Sequence, residues 1–347
     1  MKNPEMNIFG EKMKGKAALD VSEKFRSQVF GIKDNASFEK LALELFAYQY
    51  GNNPVYKLFV DSLGRKITEV NEVTDIPFLP ISFFKTHKVL CGTQEPQVIF
   101  SSSGTSGTER SSHVVSDTSL YEESFRKAFK IFYGDIKEFT VLALLPSYLE
   151  RNDSSLVYMV NDFIKQSGSA HSGFYLGNLG ELVEKLAALK KERRKVLLLG
   201  VSFALLEFAE QYSLELGNTV VMETGGMKGR RKEIVREELH AILTSRLGID
   251  QIHSEYGMTE LLSQAYSSGQ GIFKCPPWMK IFSRDISDPL AIKKDGGRGG
   301  INVIDLANIN SCAFIATDDM GVVDPDGSFT VLGRLDNSEM RGCNLML

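Results

Sequence analysis

Short, unbroken apolar runs, separated by helical stretches and glycine-rich loops, constrain this 347-residue chain more than any other feature. Residues 140–145, 196–199 and 220–222 are such runs; the first stops at Pro146 and the second at Gly200. A strand covered by helices on both faces has no solvent side, so it needs a continuous apolar run rather than an alternating one. Helical spacing fills the intervals at about 118–132, 155–165, 203–214 and 232–247, with Asp117 or Ser116 capping the first, and another strand follows at 251–253. This alternation predicts an α/β fold of parallel sheets with helix crossovers. After about residue 275 the texture changes. Strands are expected at 279–282, 301–305 and 313–317, and a hairpin over 322–332 turns at Asp324, Pro325, Asp326 and Gly327. Near the N-terminus, Ser37 reads as the cap of a helix carrying Phe38, Leu41, Leu45 and Tyr48, stopped by Gly51. The prolines of IPFLPISFFK, 76–85, predict a rigid extended stretch.

Composition narrows the function classes. The net charge is −4, without the basic field of a dedicated nucleic-acid binder. The runs at Lys190, Lys191, Arg193, Arg194 and Lys195, and at Arg230, Arg231 and Lys232, read most simply as solvated faces. The four cysteines are far apart with no C-x-x-C pair, and the five histidines form no H-E-x-x-H, which argues against zinc or a disulfide framework and for a reducing cytoplasm. The N-terminal stretch has no apolar core of signal-peptide length, and no segment reaches the length of a membrane span.

Four loops carry candidate chemistry. SSSGTSGT, 101–108, follows a predicted strand at 98–100. Ser103, Gly104, Thr105, Ser106, Gly107 and Thr108 offer amide groups and hydroxyls that can cradle phosphate, though a plain Ser/Gly linker has the same composition. No G-K-[ST] follows, and Arg110 is the nearest cation. EYGMTE, 255–260, lies beyond a predicted buried strand, where ligands bind in parallel sheets. Tyr256 offers a flat face for a base, Thr259 a hydroxyl for a phosphate oxygen, and Glu260 a hard oxygen suited to magnesium. An ordinary turn with a core tyrosine would look the same. TGGMKG, 224–229, with Gly225 and Gly226, permits close packing on a planar ring or is a simple strand-to-helix turn. ATDDMG, 316–321, and GRLD, 333–336, place Asp319 and Arg334 at the two ends of a predicted hairpin; a carboxylate there can meet a ribose diol and an arginine its oxygens.

Together and in this order, the segments 102–110, 256–260, 317–319 and 333–334 resemble the SSGTTGxPK, YGxTE, TGD and GR elements of the adenylate-forming superfamily of acyl-CoA ligases and luciferase-like enzymes. The stretches IPFLPISFFK, LLPSYLERNDSSLVYM, ETGGMKGR and RGCNL narrow the resemblance to LuxE-type acyl-protein synthetases. The resemblance implies ATP and Mg2+ as cofactors. The loop 103–108 would hold phosphates, while Gly225, Gly226 and Tyr256 would border the adenine. Thr259 would touch the α-phosphate, Glu260 would hold magnesium, Asp319 would bind ribose and Arg334 would stand nearby. Arg110 replaces the usual loop lysine, Glu109 the usual proline and Asp318 the usual glycine. On this reading 1–95 is a helical and extended segment packed on the main domain. The α/β core spans 96–275, 276–336 is a β-rich part of the same domain, and 337–347 is a mobile tail. The usual lid domain, with its lysine, is expected to be absent, leaving Arg110, His113 or Arg334 to offset charge during adenylation.

The implied reaction activates a carboxylic acid, fatty by this resemblance, and passes the acyl group to a thiol. Cys343, in RGCNLML with Arg341 and Gly342 beside it, matches the acceptor cysteine of that family and could equally be a chance cysteine on a tail. Delivery would go to an acyl-accepting reductase or transferase. The alternatives are a ligase using free CoA or a carrier thiol, and a relative that binds nucleotide without chemistry. His113 and His253 read as core histidines, and Cys91, Cys275 and Cys312 as core residues.

Overall fold

The computed structural model describes residues 23–103, 110–145, 153–175, 177–192, 194–225 and 234–335. Helix α1, described over 23–29, buries Phe25 and Val29. Helix α2 (Asn35–Asn52) is capped by Asp34, whose carboxylate accepts from the Ser37 amide, while the Ser37 hydroxyl answers toward the cap residue's backbone. Ser37 is thus the third residue of a capping box rather than the cap itself, because Asp34 reaches the free amide first. Gly51 does not stop the helix. Asn53 ends it, and its side chain caps α3 (Pro54–Ser62) through the Val55 and Tyr56 amides. The IPFLPISFFK stretch is extended only briefly, at β1 (Leu79–Pro80), before folding into the short helix α4 (Phe83–Thr86).

Strands β2 (Val98–Ser101) and β3 (Ser112–Val115), which flank the Ser/Gly segment in sequence, pair as an antiparallel ribbon. Helix α5 (Thr118–Tyr133) follows, capped by Asp117. A mostly parallel sheet then forms. Its strands are β4 (Phe139–Leu144), β5 (Gly173–Phe174), β6 (Lys195–Val201), β7 (Val220–Thr224), β8 (His253–Tyr256) and β9 (Ala265–Ser267), in the order β5-β4-β6-β7-β8-β9. Only β9 runs antiparallel, to β8. Helices α6 (Ser155–Ser167), α7 (Leu179–Glu192), α8 (Ser202–Gln211) and α9 (Arg236–Leu247) make the crossovers. All six residues of β4 are buried, as an apolar strand between helix layers requires. Helix α9 ends at Gly248, whose φ of 59° is a left-handed cap that glycine adopts without strain.

The second sheet is mainly antiparallel and contains β10 (Met279–Arg284), β11 (Ile292–Lys293), β12 (Gly297–Asp305), β13 (Phe314–Val323) and β14 (Phe329–Arg334). Its order is β1-β13-β12-β10-β11, with β14 also paired to β13. Helices α2 and α3 lock onto it. The buried Gln49 amide donates to the Asn308 and Ile309 carbonyls at 2.8 and 3.0 Å and accepts from the Ala313 amide at 2.9 Å. Tyr56 stacks on Phe314 with ring centroids 6.0 Å apart. Among the described residues no helix is long and apolar enough to cross a membrane.

Candidate active site

Strand β8 runs through Tyr256, three residues past the predicted strand, so the YGMTE segment begins inside the sheet and leaves it after the tyrosine. In register, Thr224 of β7 pairs with Glu255 of β8, which brings the TGG and EYG segments side by side at the carboxyl ends of adjacent parallel strands. The Thr224 hydroxyl donates to the buried Glu255 carboxylate. Beneath Gly225, Ser202 Oγ contacts the Gly225 carbonyl at 2.5 Å and Glu223 Oε2 at 2.9 Å. Glu223 is buried, yet its carboxyl stays below the usual glutamate range. Burial pushes it up, but His240, Arg236, Ser254 and Ser202 together outweigh that.

The two sheets meet at Tyr256. Its hydroxyl donates to Asp319 Oδ2 at 2.8 Å, and its ring packs on Phe273 and Phe329, so it is 8 % exposed. Asp319 lies opposite Arg334 across the β13–β14 pair, and Arg334 Nε stands 3.9 Å from Asp319 Oδ1. The Thr317 hydroxyl accepts from the Asp319 amide at 3.1 Å. Burial raises the Asp319 carboxyl; the Tyr256 hydroxyl and the charges of Arg334 and Arg284 oppose it. Arg284 is itself buried beneath this corner and donates to the Ile301 carbonyl, Asn302 Oδ1 and the Thr317 carbonyl at 2.7, 2.8 and 2.6 Å. Gly300 makes that placement feasible, since a Cβ there would lie 2.6 Å from the guanidinium carbon.

Glu260 is 4 % exposed and accepts from the Ser111 hydroxyl, which stands just before β3. Burial raises its carboxyl, Ser111 and Arg334 lower it, and the charge of Asp319 raises it. The carboxylates of Glu260 and Asp319 therefore sense each other and share one cation, although 59 positions separate them (319 − 260). His113 Nδ1 meets the Thr259 carbonyl at 2.9 Å. The ring is wholly buried, which pushes its pKa down to about 4 and keeps it neutral. Arg110 is partly exposed; its Nε donates to the Ser102 carbonyl at 2.7 Å and its Nη2 to Asp153 Oδ2 at 2.5 Å.

Of the residues singled out from sequence, Tyr256, Thr259, Glu260, Asp319 and Arg334 come together, with Gly225 one strand away. Ser103 is exposed, and Arg110 is tied to the Ser102 carbonyl and to Asp153. Gly104, Thr105, Ser106, Gly107, Thr108, Gly226 and Cys343 lie outside the described residues. Sequence reasoning missed Ser111, Glu223, Arg236, Arg284, Asp305 and Asn308. Only Ser111 carried a usable signal, as a hydroxyl at the foot of the Ser/Gly loop. Among the described residues no group of three or more His, Cys, Asp or Glu side chains forms a metal cage. A single buried carboxylate such as that of Glu260 still fits magnesium, which takes one or two protein carboxylates and draws its remaining ligands from phosphates and water.

Comparison with known proteins bears on the fold and the family. The chain resembles the long-chain-fatty-acid–luciferin-component ligase of Aliivibrio fischeri at 24% identity over 337 residues, covering 89% of this chain and 87% of that one. In structure it resembles ATP-bound MatB from Rhodopseudomonas palustris, with a TM-score of 0.52 and 16% identity over 70% of this chain. The match covers 49% of MatB, so the chain spans about half of that protein's length. It also resembles 2-hydroxyisobutyryl-CoA ligase in complex with 2-HIB-AMP and CoA, with a TM-score of 0.62 and 12% identity over 88% of this chain and 72% of that one. At these identities the structural likeness is one of fold. Fold and motifs together define an enzyme of the adenylate-forming ligase class. The family described as acyl-protein synthetase, LuxE, matches residues 158–347, more than half of the chain, and this protein belongs to it.

Proposed function

We propose that this enzyme activates a long-chain fatty acid with ATP as an acyl-adenylate and then transfers the acyl group to Cys343, from which a reductase or transferase partner takes it. The observation that carries the reading is the meeting of Tyr256, Glu260, Asp319 and Arg334, drawn from two sheets, at the carboxyl ends of parallel strands. Asp319, oriented by the Tyr256 hydroxyl, accepts from the ribose hydroxyls. Gly225 borders the adenine, and the Ser/Gly loop with Arg110 binds the phosphates. Glu260 would hold Mg2+, which when bound offsets the phosphate charge.

The fatty carboxylate oxygen bonds to the α-phosphorus, the bond from that phosphorus to the pyrophosphate oxygen breaks, and pyrophosphate leaves. Thr259 and Arg110 offset the charge that develops. The Cys343 sulfur, having lost its proton to solvent, then bonds to the acyl carbon, and the C–O bond to AMP breaks. The other three cysteines support Cys343 by their surroundings. Cys91 and Cys312 are buried, burial pushes Cys312 up to about 12, and it raises Cys91 and Cys275 further. Thiols of that kind supply little thiolate near neutral pH.

The test is covalent labelling with radioactive palmitate and ATP. Wild type is expected to retain label as a hydroxylamine-sensitive thioester, and Cys343→Ser to lose it while keeping fatty-acid-dependent exchange of pyrophosphate into ATP. Label that survives in Cys343→Ser rejects Cys343 as the acceptor.

A further inference from the structure

The segment between β8 and β9 carries Thr259 and Glu260 but belongs to no helix or strand. Residues 260–263 are at most 4 % exposed, so neither a ladder nor water satisfies the backbone there. One turn bond, from the Leu261 amide to the Met258 carbonyl at 3.1 Å, and three buried side chains from distant parts of the chain do so. His113 Nδ1 meets the Thr259 carbonyl at 2.9 Å. A carbonyl only accepts, so that nitrogen carries the proton. Asn308 Nδ2 donates to the Glu260 carbonyl at 2.9 Å. Asp305, at the end of β12, accepts from the Leu262 and Ser263 amides at 2.7 and 3.0 Å, and from the Ser263 hydroxyl at 2.5 Å. His113 and Asp305 have no exposed surface, and Asn308 is 1 % exposed.

The two carbonyls matter by position. The Thr259 oxygen lies in the peptide plane before the Glu260 Cα and the Glu260 oxygen in the plane after it. Peptide planes are rigid, so pinning both fixes φ and ψ at Glu260 and hence the direction of its Cβ. Ser111, two residues before His113, holds the carboxyl itself. Residues 111–113 thus hold both the Glu260 carboxyl and the peptide plane before its Cα, and Asn308 holds the plane after it. We propose that His113, Asn308 and Asp305 are positioning residues that aim the Glu260 carboxyl at the metal of a bound nucleotide. This rests on the function proposed above, and it assigns work to residues that touch no substrate.

The test titrates Mg2+ against ATP binding by calorimetry, with pyrophosphate exchange on palmitate as a second readout. Asn308→Ala and His113→Leu are each expected to raise the half-saturating Mg2+ concentration about 10–100-fold and to lower exchange by a similar factor. His113→Asn keeps a donor near the Nδ1 position and is expected to stay within about threefold of wild type. Urea midpoints identify any variant that fails to fold, and Asn308→Ala and His113→Asn are the mild members of the set. Folded variants with wild-type Mg2+ dependence overturn the proposal, as does His113→Asn matching His113→Leu. A wild type that binds no ATP·Mg2+ overturns it too, since Glu260 then has no metal to face. A wild type that binds ATP·Mg2+ without exchange refutes the proposed function alone, and the titration still decides the role of the three residues.

Discussion

Two stretches border the same corner and are held in opposite ways. The Thr259–Ser263 segment, buried from Glu260 onward, is pinned by His113, Asn308 and Asp305, each from another strand or turn. Arg110, on the Ser/Gly ribbon, is held by a partly exposed pair with Asp153, the two side chains 42% and 33% exposed, and by the Ser102 carbonyl. Buried hydrogen bonds are costly to break because the partner is left unsatisfied, whereas an exposed ion pair exchanges readily with water. The difference teaches a division of labour. On the proposed function, the carboxylate that must point in one direction would sit in a rigid frame, and the cation that meets a moving phosphate in a frame that yields.

Substitutions break or sharpen that contrast, and the largest effect is expected on the rigid side. Asp305→Ala leaves the Leu262, Ser263 and Ala307 amides and the Ser263 hydroxyl without their acceptor. It should lower unfolding free energy in urea by about 3 kcal/mol or more.

Acid should attack the same frame through His113, whose pKa falls from 6.5 to about 4 on burial. The unfolded chain takes up that proton first as pH drops, so the neutral folded ring contributes full stability above pH 6.5 and loses it as pH falls toward about 4. The difference between 6.5 and about 4 corresponds to about 3 kcal/mol. Urea unfolding across that window should show the loss in wild type and not in His113→Asn.

Between the two extremes stands Tyr256→Phe, which removes the hydroxyl that orients Asp319. The KM for ATP should rise about 10–100-fold, as expected for a hydrogen bond to a charged group. Because that hydroxyl holds the Asp319 carboxyl down against burial, the acid limb of the KM profile should move to higher pH. Asp153→Asn should do least. Loss of an exposed pair should change stability by under about 1 kcal/mol, with a change of only a few fold in the KM for ATP, measured by urea unfolding and exchange kinetics.

Much of the fold was legible because it is written in local pattern. The apolar runs at β4, β6 and β7 lie where continuous burial demands them. Strand β8 was harder, since HSEY is polar in composition and buried only through partners such as Thr224 and Asp319. Helix α7 was overlooked although Leu182, Leu186 and Leu189 carry a helical stripe, masked by the surrounding charge. The core of the candidate site was also legible, as the ordered motifs holding Tyr256, Glu260, Asp319 and Arg334. Its supports were not. His113, Asp305 and Asn308 act on one short segment from positions nearly 200 residues apart, and no spacing rule joins them (305 − 113 = 192).

The most direct measurement of the central claim is acid-dependent exchange of labelled pyrophosphate into ATP, with wild type and Glu260→Gln side by side. The account predicts exchange with a long-chain fatty acid that falls about 100-fold in Glu260→Gln. Wild type that exchanges nothing across fatty, aryl and amino acids, or Glu260→Gln exchanging at the wild-type rate, would contradict it.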